Sequence, residues 1–453
     1  MLDPVTPQPT PSGLHRSLGA VKMATFAIGG AIGTGLFLGS GAALPIAGPA
    51  AIVSYVLGAL LSLAVAMAMG ELAVRHPQAG AFGVAADAYL GPWAGFVVRS
   101  GYWVCMLLSV AADLVACSTY IRFWAPNVPA AFWIVIITAA LLLMNLADVS
   151  RLGTVEYWLA ALKVITIIVF VIIGTALLTT GGVQPQFTTG GGFFPHGARG
   201  VLLAVPFALF SFLGIEFVAV SSGEARDPRA IRNATLITLG GLMFLYLGAM
   251  AVLAGVVPSA NLSTAESPFV TLFRAVGVPF ATTLVNVVVL TAALSGSNAS
   301  LYVCSRTIYS LALAGDAPQV FGRTNAEGVP VAAVFISCLG AIAALLVTVL
   351  IPSSAYLYIV GIGLCGGMLV WMIGLAAHIR LRRLISAGKV EDSAFRAPGG
   401  AVVSAIALLG IFAAMVGTFF LPDLRIAILS GIPYVAVLSI AYLIMKSRKR
   451  ASS

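Results

Sequence analysis

Charged side chains are scarce in this sequence. Asp, Glu, Lys and Arg make up 9% of its 453 residues, whereas soluble globular proteins contain about 25%. Hydrophobic residues reach 60%, and the mean hydropathy is +1.05. This composition excludes a soluble globular domain and indicates a polytopic membrane protein. The net charge of +9 is therefore interpreted from where the basic residues lie relative to the membrane spans, and no nucleic-acid partner is expected.

Cysteine and histidine are also rare. The five cysteines all fall in predicted membrane spans, and an odd number without a CxxC pair argues against a disulfide framework. The four histidines lie at no metal-ligand spacing. Neither GxSxG nor HExxH occurs in the sequence. We therefore expect no enzyme, no catalytic residue, no metal and no cofactor.

Twelve apolar segments are long enough to cross a hydrocarbon core of about 30 Å, which takes roughly 20 helical residues. The segments are continuously apolar, so they predict helices and an all-α fold, not a barrel of alternating strands. The predicted organisation is a disordered tail at 1–17, five-helix repeats at 18–180 and 181–378, a loop at 379–400, helices 11 and 12 at 401–445, and a basic tail at 446–453.

Basic residues are unevenly distributed between the segments that join these spans. If the N-terminus is cytoplasmic, nineteen of the 24 Lys and Arg residues lie on the inner side and four on the outer, with Lys163 inside a span. Basic residues concentrate in cytoplasmic segments of membrane proteins. The distribution predicts that both termini, and hence the 1–17 tail, the 379–400 loop and the 446–453 tail, are cytoplasmic.

Glycine is concentrated in one stretch of the first span, FAIGGAIGTGLFLGSG at 26–41. Each glycine costs about 1 kcal/mol of helix propensity relative to alanine, so the stretch predicts a broken helix. The sixth span carries Ser211, Gly214 and Glu216 in its middle, about 180 residues later. Paired interrupted helices in two halves are typical of inverted-repeat transporters with a midplane binding site. The alternative is that the glycines allow close helix packing.

An unwound turn exposes amide donors at one half-helix and carbonyl acceptors at the other. The donors, with the helix dipole, suit a carboxylate, and the acceptors suit an ammonium group. The hydroxyl of Thr34 can add a further donor. Such a break is complementary to an amino acid.

Ionisable residues inside the spans are functional hypotheses by default. Lys163 lies about 12 Å into the fifth span, where it either couples transport to a cation or anchors the span by snorkelling. Asp113, in the third span, could line the pocket, pair with another helix or face a vestibule. Glu71 and Asp227 lie near arginines at predicted helix ends, where solvated ion pairs are expected.

Four stretches of the chain are recognisable together: GGAIGTGLFLGSG (29–41), GELAVRHPQAGAF (70–82), FSFLGIE with GEARDPRAI (210–231) and LTAALSGSNASLYVCSRTIYSLALAGDAP (290–318). They resemble the amino acid transporter family of bacterial permeases, within the amino acid, polyamine and organocation superfamily. The resemblance implies twelve helices, ten of them in the five-plus-five inverted repeat of the sodium-coupled leucine transporter fold. It also implies proton-coupled amino acid uptake across the bacterial inner membrane.

The resemblance assigns the binding residues as follows. The substrate carboxylate is expected on the glycine motif of the first span, and the α-amino group on main-chain carbonyls of the two breaks. The motif residues are Gly33, Thr34 and Gly35, and the carbonyl residues are Ala31, Phe210, Ser211 and Leu213. Phe210 is further expected to act as an aromatic lid over the ligand.

The same resemblance implies two coupling residues. Lys163 matches a family lysine that resembles a built-in substitute for the sodium ion of related transporters. Glu216 matches a family glutamate after the second break, where it is a proton carrier, a clamp between helices, or a neutral carboxyl bonded to backbone. The partners implied are an amino acid, a proton and the lipid bilayer.

The weakly polar surroundings of the predicted pocket favour a neutral or aromatic amino acid, or a zwitterion such as proline or 4-aminobutyrate. A cationic substrate paired with Asp113 is the competing idea. An exchanger or polyamine antiporter of the same superfamily is the alternative to uptake. A transport-like sensor is disfavoured because the 379–400 loop is too short for a signalling domain.

Overall fold

The computed structural model describes most of the chain as helices packed around two interrupted ones. The described residues are 18–77, 80–146, 149–189, 191–259, 262, 266–275, 279–326, 328–351 and 354–452. The predicted tail at 1–17 lies outside them.

The helices follow one another in the order α1 (Ala20–Ala31), α2 (Thr34–Phe37), α3 (Ser40–Ala47), α4 (Ala51–Arg75), α5 (Ala81–Leu90), α6 (Pro92–Ile121), α7 (Ala130–Leu146), α8 (Val149–Thr179), α9 (Gly197–Phe212), α10 (Phe217–Val220), α11 (Pro228–Val256), α12 (Pro268–Ala275), α13 (Pro279–Leu313), α14 (Val331–Ser337), α15 (Leu339–Leu350), α16 (Ala355–Ser386), α17 (Gly400–Gly417) and α18 (Arg425–Ser452).

The predicted fold class is confirmed. Eleven helical segments of the described chain have the length and apolar composition of membrane spans, and α7, at 17 residues, is a shorter twelfth. Outside the helices, the described residues form one isolated β-bridge, between Leu18 and Ala225.

The two interrupted segments lie at the centre of the bundle. In an 18-residue stretch of the span that contains α9 and α10, 78% of the residues are buried, against 11% in a stretch of the same length in the final helix, α18. The long helix α6 packs along α13 and α16, while α1 contacts α8, α11 and α13. The breaks are therefore enclosed by helices from both halves of the chain.

Helix α16 extends further than the sequence indicates. The predicted loop starts at 379, but the helix continues to Ser386. Its last residues include three arginines, which are good helix formers and can extend from the membrane into water. Gly388, at φ +66°, then ends the helix by donating its amide to the Ile385 carbonyl.

A backbone hydrogen bond joins the start of the first interrupted segment to the end of the second. The amide of Arg226, just after α10, donates to the carbonyl of Leu18, just before α1, at 2.9 Å. This contact links the start of α1 to the chain that follows α10.

Candidate functional site

The first break lies between α1 and α2. Ile32 still donates to Ile28 at 2.9 Å, but Gly33 turns back to the Ala31 carbonyl at 2.9 Å and the helix restarts at Thr34. The first amides of a helix have no intrahelical acceptor. The last carbonyls of α1 and the first amides of α2 therefore lie on either side of a broken turn, as the glycine content predicts.

The second break lies between α9 and α10. Leu213 donates to the Phe210 carbonyl at 3.2 Å and Phe217 to the Gly214 carbonyl at 2.9 Å, so short turns replace helical bonds. Gly214 has φ +108°, a conformation that residues with a side chain rarely adopt.

The two breaks touch through their backbones. A Cβ atom on Gly214 would lie 2.9 Å from the Ala31 Cα, and one on Gly35 would lie 2.7 Å from the Ser211 Cα. Glycine is needed at both positions because no side chain fits between the two main chains. The structure therefore brings the predicted binding residues of both breaks together.

Asp113 enters this site from α6. Its side chain is 6% exposed, and its Oδ1 accepts a hydrogen bond from the Thr34 hydroxyl at 2.7 Å. A Cβ on Gly296 of α13 would lie 3.1 Å from its Oδ2. Of the three roles considered from the sequence, the geometry places Asp113 in a pair with Thr34 at the break.

Lys163, on α8, is fully buried, and its Nζ donates to the Gly29 carbonyl in α1 at 2.5 Å. Because this carbonyl belongs to the last turn before the break, the ammonium holds the end of α1. The lysine does not snorkel to the surface in this structure.

Glu216, 1% exposed, lies at the other break. One carboxylate oxygen accepts from the Tyr102 hydroxyl of α6 at 3.0 Å, and the other accepts from the Gly214 amide at 3.1 Å. The side chain therefore joins the turn between α9 and α10 to α6, which is the geometry of a clamp.

Sequence reasoning missed three buried tyrosines that bind the breaks. Tyr246 donates to the Ala31 carbonyl at 2.8 Å, and Tyr356 donates to the Thr34 carbonyl at 3.0 Å. Ser211 donates to its own helix, so Tyr55 donates to the Ser211 hydroxyl at 2.9 Å. A buried tyrosine hydroxyl usually requires a partner, so tyrosines in the middle of apolar spans were the available signal.

The aromatic rings beside the second break differ in burial. Phe212 is fully buried and packs on Tyr246 with 4.9 Å between ring centroids. Phe210 is only partly buried. Of the two, Phe210 is therefore the ring that is less fixed by packing.

A second charged cluster lies at the end of α4, away from the breaks. Glu71 is fully buried, and one oxygen accepts from Arg382 at 2.9 Å and from the Ala397 amide at 2.7 Å, with His378 at 3.0 Å. The interpretation of Glu71 as a solvated ion pair is therefore wrong. Its partners are more than 300 residues away in the sequence, which explains the error.

Asp227 has a simpler role. It is exposed and caps α11 by accepting from the Ala230 amide at 2.8 Å.

Comparisons with known proteins agree with this architecture. An amino acid permease family model matches residues 22–453. The chain is 34% identical over 450 residues to the aromatic amino acid transport protein AroP of Escherichia coli K12, with 97% of each chain covered. It is 32% identical over 448 residues to the gamma-aminobutyric acid permease of Bacillus subtilis, covering 97% of this chain and 95% of the relative.

Two solved structures share the fold at low sequence identity. The manganese transporter of Eremococcus coleocola has 14% identity and a TM-score of 0.55, with 98% of each chain covered. A nucleobase-cation-symport-1 family transporter in a closed conformation has 17% identity and a TM-score of 0.53, covering 97% of this chain and 96% of the other. Both are leucine-transporter-fold proteins, which confirms the predicted fold.

Proposed function

Because the chain belongs to the amino acid permease family, we propose that it is a secondary active transporter that takes up an amino acid together with a proton. The observation that carries the proposal is the backbone contact between the two helix breaks. In this arrangement the amides at the start of α2 bind the carboxylate, and carbonyls of both breaks receive the ammonium group.

The binding residues divide between the two groups of the substrate. The amides of Thr34 and Gly35 bind the carboxylate, with Gly33 giving the ligand access to the main chain. The Thr34 hydroxyl supports the turn instead of the ligand, because it donates to Asp113. The ammonium group binds main-chain carbonyls of both breaks, those of Ala31, Phe210, Ser211 and Leu213. The partly buried Phe210 ring acts as the lid.

Lys163 is the coupling residue in this proposal. Its contact with the Gly29 carbonyl supports a role as a built-in cation, since it holds the end of α1 directly. When Lys163 gives up its proton it loses its charge, and its hold on α1 weakens. Glu216 acts as the clamp, because both its oxygens are already bonded across the second break.

The substrate is a neutral or aromatic amino acid, or a zwitterion such as 4-aminobutyrate. The hydrogen bond from Thr34 to Asp113 supports this choice over a cationic substrate, since one carboxylate oxygen is already engaged at the first break. The protein acts in the bacterial inner membrane with both termini in the cytoplasm, as the distribution of basic residues favours. It has no enzymatic activity.

Uptake into proteoliposomes tests the proposal. The assay compares labelled phenylalanine, tryptophan, proline, 4-aminobutyrate and arginine under an inward proton gradient, a sodium gradient or neither. We expect accumulation of one neutral substrate only with the proton gradient. Sodium-driven accumulation would refute the role of Lys163 as a built-in cation. Uptake that is equally fast without any ion gradient, and that requires amino acid inside the vesicles, would identify an exchanger.

A glycine variant tests the site itself. A Cβ on Gly33 would meet its nearest atoms at 3.8 Å and 4.0 Å, which is ordinary contact, so Gly33→Ala is expected to fold normally. If the ligand lies on these amides, the added methyl group lowers its affinity by about tenfold or more. Gly240→Ala is the matched control, since a Cβ there has open space. Wild-type affinity in Gly33→Ala would place the ligand elsewhere.

A further inference from the structure

Three aromatic rings pack together on the α1 side of the first break. The Phe26 ring lies 5.4 Å from Tyr302 of α13, edge to face, and 6.0 Å from Phe217 of α10. Phe217 in turn packs so closely on Gly30 that a Cβ there would lie 2.4 Å from the ring. These three rings, from three different helices, form an aromatic layer beside Gly30, just before the first break.

The α13 side of this layer continues into a buried arginine. Ala299, Tyr302 and Arg306 are spaced three and four residues apart, so they lie on one face of α13. Ala299 is the neighbour of Gly30 on this face, 3.2 Å from a Cβ built there. Arg306 follows Gly296, the neighbour of Asp113, by ten residues, or about 15 Å along the helix.

Arg306 is buried and has no carboxylate partner among the described residues. It is 7% exposed, its Cζ lies 4.4 Å over the Tyr302 ring, and its Nη1 reaches the Ser305 hydroxyl at 3.4 Å. Its Nε is buried without a hydrogen-bond partner, and no carboxylate of the described residues forms an ion pair with it. Isolated buried charges are costly.

A second buried arginine, Arg99, shows how a buried positive charge is usually compensated. Arg99, 6% exposed, forms an ion pair with Asp316 at 2.9 Å. Both arginines are buried to nearly the same extent, yet among the described residues a carboxylate compensates the charge of Arg99 and none compensates that of Arg306. The guanidinium of Arg306 therefore retains donors suited to a carboxylate, which it can bind through two parallel hydrogen bonds.

We propose that Arg306 is a second recognition site for the substrate carboxylate, on the path from the helix breaks to the end of the bundle where α1 begins. The proposal rests on the proposed transport of amino acids. The site is covered in this structure by the aromatic layer and is uncovered when α1 moves together with the segment after α10, whose Arg226 amide is bonded to the Leu18 carbonyl. The carboxylate then leaves the amides of α2 and meets Arg306 before reaching water.

Half-saturation concentrations measured separately on the two faces test this assignment. Counterflow of the accumulated panel amino acid is followed in right-side-out and inside-out membrane vesicles, for wild type, Arg306→Gln and Arg306→Lys. We expect Arg306→Gln to raise the half-saturation concentration on the face that carries the termini by about tenfold or more. The opposite face changes less than about twofold, and Arg306→Lys lies between.

Arg99→Gln is the matched control, because it removes a buried arginine whose charge is already paired. It is expected to reduce the amount of folded protein without changing the ratio of the two half-saturation concentrations. An equal change on both faces in Arg306→Gln, or no change on either, overturns the assignment while leaving the transport proposal intact. If wild-type protein exchanges no amino acid of the panel, the transport proposal fails and the Arg306 assignment fails with it.

Discussion

Replacing Gly214 with alanine tests the contact between the two breaks. Gly214 has φ +108°, and a Cβ at this position would lie 2.9 Å from the Ala31 Cα, 3.1 Å from its Cβ and 3.2 Å from its amide nitrogen. The atoms it would meet are mostly backbone, so no side-chain rotation can relieve the overlap. The breaks must separate, or the turn must change its conformation.

The size of the effect follows from these two costs. A non-glycine residue in a disfavoured backbone region costs roughly 1–3 kcal/mol, and the overlap with Ala31 adds to it. Each 1.4 kcal/mol changes an equilibrium about tenfold. We therefore expect Gly214→Ala to raise the half-saturation concentration for uptake by about tenfold or more, since the substrate would bind the main chains of both breaks.

The assay combines uptake in proteoliposomes with thermal unfolding in detergent. Gly240→Ala, in α11, is the control: a Cβ there has no atom within 4 Å, and alanine gains about 1 kcal/mol of helix propensity. It should transport like the wild type with equal or greater stability. If Gly214→Ala keeps both the wild-type half-saturation concentration and the wild-type unfolding temperature, the breaks do not pack as described.

Three further predictions concern charged groups. Lys163→Gln removes the ammonium group that donates to the Gly29 carbonyl. It should abolish proton-driven accumulation while lowering the counterflow rate less than tenfold. Intact accumulation would show that the lysine takes no part in coupling. Glu71→Ala leaves Arg382 and His378 without the buried carboxylate that they contact. It should lower the free energy of unfolding by about 3–5 kcal/mol. An unfolding temperature equal to that of the wild type would contradict this. Burial, with a smaller contribution from Arg75, lowers the pKa of His76 just beyond α4 from 6.5 to about 4. A folded-state pKa below the unfolded value gives stability that is present above about pH 6.5 and lost as the pH falls toward 4. The unfolding temperature should therefore fall more between about pH 7.5 and about pH 4.5 in the wild type than in His76→Gln, and parallel decreases would refute this.

The breaks could be located from the sequence because their signals are local. Clustered glycines mark the first, and Gly214 with Glu216 in an apolar run marks the second. The architecture of twelve helical spans could be predicted for the same reason. A continuous apolar run that crosses a membrane has to form a helix, because its backbone groups find no hydrogen-bond partners in the lipid. Local composition therefore predicted the helical architecture and the positions of the two breaks.

The partners of the breaks could not be predicted in the same way. Tyr55, Tyr246 and Tyr356 lie in helices that are apolar on every side, so no periodicity indicates which face is turned inward. Glu71 shows the same limit at the end of α4. Its surroundings depend on α16 and the segment before α17, more than 300 residues later.

The bond between Leu18 and Arg226 also decides where the protein can be modified for study. A fluorescent protein or surface tether attached ahead of Leu18 would pull on α1 and on the segment after α10 at once, because a backbone hydrogen bond joins them. Its drag would act on the two segments that move together in the proposed transport cycle. The far end of α18, on the least buried helix of the bundle, is the better attachment point for a purification handle or a fluorophore.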